Sequence, residues 1–173
     1  MRFGKTGNYF SLEAIIDDAR VWLHFVLINL LYKTAAKVNK IINLEVKDLN
    51  LKRNNCVIKN KSLKTNRIIN LSTSTTELVE QYILQNSLKE NQKLFYQGYN
   101  ITQAEICRHL RMYIKRARIK EPNLIPDYDS VCGFRISRAI HLYQSGYSIE
   151  SLTYLFGHSD DYFTNKYIRV VNM

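Results

Sequence analysis

The sequence predicts a mainly α-helical domain with one small antiparallel sheet of three strands, an α+β arrangement. Three observations lead there. Apolar residues recur at helical spacing over most of the chain, most clearly from Ile101 to Ile119. A single segment, Val46 to Leu71, breaks that pattern with short β-prone runs separated by asparagine-rich turns. At 173 residues and 46% hydrophobic content, the chain has enough apolar surface for one real core.

Each element follows from local chemistry. Residues 1–10, with Gly4 and Gly7, read as an irregular lead-in, and 11–173 as a single domain. Ser11 is a good N-cap, so a helix opens there and runs to a stop at Thr34-Ala35-Ala36. Its later part is apolar nearly all round, which places it at the centre of the core. A short helix from Val38 to Leu44 follows. The three strands draw on Leu49 and Leu51, then Cys56 to Ile58, then Ile68 to Leu71. Thr73 to Asn86 reads as a helix capped near Thr75 or Thr76, with Leu78, Val79, Tyr82 and Ile83 inward. Lys93 to Tyr96 reads as a short extended piece. In the helix from Ile101 to Ile119, Ile106, Leu110, Tyr113, Ile114 and Ala117 form an apolar stripe. Arg108, Arg111, Lys115 and Arg118 form a basic one. Pro122 and Pro126 bracket a linker, and helices are expected over Ser130–Gln144, Ile149–Phe156 and Asp161–Val170.

Charge narrows the partners. Lys and Arg total 25 against 15 acidic residues, a net charge of +10. The cations cluster at Lys33–Lys40, Lys59–Arg67 and Arg108–Lys120, a distribution that favours a polyanion. The longest apolar stretch, Val21 to Tyr32, is shorter than a bilayer crossing and is interrupted by His24 and Asn29. No membrane role is expected. Cys56, Cys107 and Cys132 are too widely spaced for a metal site and suit a reducing compartment, so a cytoplasmic location is expected.

The tail carries the chemistry. Leu155-Phe156-Gly157-His158-Ser159 is followed by Thr164-Asn165-Lys166-Tyr167, which sets an imidazole and a phenol nine residues apart. A phenol can attack phosphorus and an imidazole can hydrogen-bond phosphoryl oxygens. Read alone, the tail is equally a Gly-capped helix, a loop histidine and a packed tyrosine. Three upstream blocks change the balance: Leu31-Tyr32-Lys33-Thr34-Ala35-Ala36-Lys37-Val38-Asn39-Lys40, Lys61 to Leu71, and Gly133-Phe134-Arg135-Ile136-Ser137-Arg138-Ala139. In this order, with the tail, they resemble the catalytic domain of the tyrosine recombinases (the phage integrase family, Xer-like members included).

The resemblance implies a cofactor-free, site-specific break and rejoining of double-stranded DNA through a 3′-phosphotyrosyl link. Tyr167 matches the nucleophile, Arg135 the second arginine, His158 the later histidine and Lys61 the hairpin lysine, with Lys64 a close competitor. Lys37 falls where the family has its first arginine and Cys132 where it has its first histidine. Lys40 and Ile136 depart from the family pattern as well. The site thus resembles a degenerate one. DNA contacts are expected from Lys64, Arg67, Arg108, Arg111, Lys115, Arg118 and Arg138. Family members usually carry a separate DNA-clamping domain ahead of this one, and none is expected within these residues. Other recombinase subunits are candidate partners. Three alternatives stay open: an inactive DNA-binding or regulatory module on the same fold, a type IB topoisomerase-like enzyme, and a helical adaptor for an acidic protein.

Overall fold

The computed structural model describes residues 22–59, 66–122 and 131–169. Helix α1 (Trp22–Thr34) is the central element and buries most of its surface, as its all-round apolar sequence requires. It stops where Ala35 enters the left-handed region at φ 49°. The Thr34 hydroxyl holds that stop by bonding the Leu30 carbonyl (2.7 Å) and accepting from the Ala36 amide (3.2 Å). Helix α2 is a single turn, Val38–Ile41, shorter than the sequence suggests. Residues 1–21, including the expected start at Ser11, lie outside the described residues.

The sheet is the expected antiparallel meander of β1 (Leu49–Asn50), β2 (Asn55–Ile58) and β3 (Arg67–Asn70). Short 3₁₀ turns flank β1, and left-handed Asn54 (φ 50°) leads into β2. Register pairs Cys56 with Ile69 and Ile58 with Arg67. Side chains alternate across a strand, so Arg67 and Ile69 face inward while Ile68, 64% exposed, faces solvent.

Helix α3 (Thr73–Gln85) is capped by Ser72, whose hydroxyl accepts from the Thr75 amide. Thr75 and Thr76, the caps expected from sequence, lie inside the first turn and are buried. Val79 and Tyr82 form the buried face, with Leu78 and Ile83 partly buried beside them. Lys93 to Tyr96 is not a strand. Its pairing is two isolated bridges, Glu45 with Lys93 and Tyr96 with Asn100, and Leu94 and Phe95 pack into the core. Helix α4 (Gln103–Lys120) buries the whole expected apolar stripe.

The remaining helices are α5 (Gly133–Gln144), α6 (Ile149–Phe156) and α7 (Tyr162–Ile168). The linker between α4 and α5 lies mostly outside the described residues. One large core joins α1, the sheet, α3, α4 and Phe134. A smaller one joins Ala35, Ala139, Leu142, Leu152, Phe156 and Ile168, and Tyr167 packs against it. The small core brings the end of α1 onto α5, α6 and α7.

Helix α4 tests the packing directly. Leu110→Ala removes a fully buried side chain and is expected to cost about 2–5 kcal/mol in urea unfolding. Ile119→Ala, at a position 75% exposed, is expected to stay within about 0.5 kcal/mol.

Candidate active site

Arg135 lies in the first turn of α5, on the face that packs inward, and is only 6% exposed. Its Nη1 donates to the Ala35 carbonyl. Its Nη2 donates to the Phe156 carbonyl (2.7 Å) and to His158 Nε2 (2.8 Å). The guanidinium carbon stands 5.1 Å from the Phe156 ring centroid. One planar cation therefore ties together the end of α1, the end of α6 and the histidine beyond it. The left-handed turn at Ala35 is part of this, because it delivers its own carbonyl to Arg135.

The Gly157-His158 pair sets the histidine. Gly157 stops α6 at φ 63°, with its amide bonded to the Tyr154 carbonyl and the His158 amide to that of Thr153. This is a Schellman closure, which fixes the backbone on both sides of His158. Arginine can only donate, so His158 Nε2 accepts from Arg135 and the ring proton sits on Nδ1. Nδ1 then donates to the Thr164 hydroxyl at 2.8 Å, and Thr153 donates to the same oxygen at 2.9 Å. Position and tautomer are set together.

Tyr167 follows Thr164 by one turn of α7, on the same face. Its ring meets His158 edge to face at 5.5 Å and Phe156 at 6.4 Å between centroids. Its side chain lies close enough to Arg135 to favour that guanidinium's charged form. Phenol, guanidinium and imidazole, drawn from three helical segments, meet at one place.

The sequence model described as "Phage integrase family" matches residues 11–172. The chain belongs to the phage integrase family. A tyrosine recombinase of Pseudothermotoga lettingae is 28% identical over 151 residues, which is 86% of this chain and 50% of that protein. The chain thus spans about half the length of the curated relatives it matches. The crystal structure of XerA recombinase superposes with a TM-score of 0.80 at 18% identity, covering 99% of this chain and 64% of that one. XerH site-specific recombinase, bound to a palindromic difH substrate in a post-cleavage complex, gives 0.75 at 21% identity, with 96% and 50% covered. At those identities the likeness establishes the fold.

Around Arg135, His158 and Tyr167, the other expected residues separate. Lys37 is exposed at the N-cap of α2, and its charge reaches His158. Cys132 is exposed just ahead of α5, close enough to favour the charged form of Arg135. Arg108, Arg111 and Lys115 are exposed along α4, and Arg118 is half-buried at the edge of the same stripe. Arg138 is half-buried with its guanidinium 5.4 Å from the Tyr32 ring centroid, while the Tyr32 hydroxyl shares a hydrogen bond with His141 Nδ1. Lys61 and Lys64 lie outside the described residues. Arg67, expected among the DNA contacts, is 7% exposed with Nη1 on the Leu155 carbonyl, because strand alternation turns it toward the core. Thr153 and Thr164 were not singled out from sequence, although the Thr-x-x-Tyr spacing already places Thr164 over Tyr167.

Burial, then the charges of Arg135, Lys37 and Arg67, lowers the His158 imidazole from 6.5 to about 4, with Asp160 opposing. It is neutral at pH 7, as its hydrogen bonds require. A depressed imidazole means the unfolded chain binds the proton more readily. Stability from this group is therefore complete above about pH 6.5 and is lost as pH falls toward 4. NMR titration is expected to give a His158 midpoint near 4, with the Nδ1 tautomer above it. His24, buried against His109 and bonded to the Tyr113 hydroxyl at 2.8 Å, is expected to titrate in the same range.

Proposed function

We propose that this chain is the catalytic half of a DNA breaking and rejoining protein, with Tyr167 as the nucleophile. The observation that carries this is the meeting of Arg135 with both Tyr167 and His158. In the proposed step the phenolic oxygen attacks a backbone phosphorus, a phosphotyrosyl bond forms and the 5′-hydroxyl leaves. Arg135 and His158 stabilise the charge on the non-bridging oxygens. Lys61 in the hairpin supplies the proton to the leaving oxygen. Rejoining is the reverse attack by a 5′-hydroxyl. The exposed cations of α4 hold the duplex backbone. Other recombinase subunits complete the grip on DNA.

One observation favours a second reading, a DNA-binding module that has lost cleavage. Lys37 and Cys132 stand at the two positions where the family's phosphate contacts are richer, and Arg135 already directs three bonds at its own protein. A lysine keeps charge but not a two-pronged grip. Losing one such clamp costs roughly a hundredfold or more in rate.

A nicked suicide duplex separates the two readings. Under the first, a covalent protein–DNA adduct accumulates and disappears in Tyr167→Phe. Under the second, neither protein forms it, and the Lys37→Arg, Cys132→His double variant gains it. Absence of adduct from all three removes the nucleophile assignment. Binding is checked separately: neutralising Arg111 and Lys115 to Gln is expected to lower the slope of log affinity against log salt by about 1 each, uniformly across sequences.

A further inference from the structure

His158 and Arg135 meet at the C-terminal end of α6, and a second buried cation also holds that end. Arg67 begins β3 opposite Ile58, on the inward face, and its Nη1 donates to the Leu155 carbonyl. Its side chain lies flat on Gly157. A Cβ placed on residue 157 would come 3.0 Å from Arg67 Cδ, 3.1 Å from Nε and 3.4 Å from Cζ. Glycine is thus required at 157 for its left-handed φ and for this approach. Arg135 takes the next carbonyl, that of Phe156. A helix leaves its last carbonyls without partners and its C-terminus partly negative. Here two guanidiniums supply both needs. Among the described residues no ion pair reaches either one, since the acidic partners Glu45 and Asp48 pair with Lys47 and Lys59.

We propose that Arg67 is a positioning residue: it fixes the Leu155–Gly157 turn so that the His158 ring meets Arg135 and Thr164 at once. Its charge also disfavours protonation of that ring, alongside Arg135 and Lys37 and against Asp160. Arg67 itself stays a cation at neutral pH, although burial and the neighbouring Arg135 pull it down to about 10. The consequence for cleavage rests on the proposed role of His158. The consequence for the ring's position and titration does not.

Two variants and two readouts test this. The first readout is the His158 titration, with the Nδ1–H resonance, in the unliganded chain. The second is single-turnover cleavage of the suicide duplex. Arg67→Lys keeps the charge but loses the planar fork. It is expected to titrate like the parent, to exchange its Nδ1 proton faster, and to cleave about tenfold to a hundredfold more slowly with unchanged DNA affinity. Arg67→Met removes both the charge and the fork; its Nδ1 proton is expected to exchange at least as fast as in Arg67→Lys, and its His158 midpoint to move up only slightly, since burial, Arg135 and Lys37 each hold that ring down more strongly. Parent-like Nδ1 exchange in Arg67→Met overturns the proposal, as does Arg67→Lys with parent-like rate and parent-like Nδ1 exchange. If Arg67→Met does not fold, Nδ1 exchange in Arg67→Lys decides. A parent chain that never cleaves counts against the function of Tyr167, and the two resonance measurements then judge Arg67 alone.

Discussion

A buried guanidinium is the constraint on which this domain's working end depends. Arg135 cannot lose its proton, and taking an unpaired charge out of water costs several kcal/mol unless its donors find acceptors. The chain meets most of that demand with two backbone carbonyls and an imidazole nitrogen, sets the Tyr167 side chain beside them, and leaves the buried Nε without a hydrogen-bond partner among the described residues. These partners come from residues 35, 156, 158 and 167, so satisfying one cation folds four distant positions onto each other. Hydrogen bonds to charged groups contribute about 1.5–3 kcal/mol each. The small hydrophobic core beneath them, with Ala35, Ala139, Phe156 and Ile168, is correspondingly modest.

The same constraint gives the site its electrostatic character. Arg135 sits close enough to Arg67 to pull its pKa down, Lys37 adds a third charge, and no carboxylate pairs with the two arginines among the described residues. A neutral, singly oriented imidazole and a phenol complete the wall. Such a cluster is poised for an anion. The backbone carbonyls hold the guanidinium planes in fixed orientation, which suits an oxyanion whose charge grows during reaction. Lys37 and Cys132 are exposed beside this inner arrangement.

Much of this was legible in the residues. The apolar stripe of α4 is regular enough that its buried set, Ile106 to Ala117, follows from spacing alone. The Leu-x-Gly-His tail encodes a helix stop, and the Schellman closure at Gly157 is what that stop becomes. Other features needed coordinates. The cap of α3 fell on Ser72 because several hydroxyl residues in a row offer equal local chemistry, and only the buried face of the helix chooses among them. Arg67 reads as one more cation in a basic hairpin. Its parity with Ile69 in a period-two strand was the available signal, and a count of charge obscures it. The Thr153–Thr164–His158 relay joins residues eleven and six apart across two helices, a contact that no single-helix periodicity contains.

The central claim is that Arg135 holds the ends of α1 and α6 and, through His158 and Thr164, helix α7 in one assembly. Amide hydrogen exchange on Arg135→Met measures this most directly. The account predicts that protection falls from Thr153 to Ile168 and around Ala35, while α4 and β2 exchange as in the parent. Unchanged protection in the α6–α7 segment, or a uniform loss across the whole chain, would contradict it.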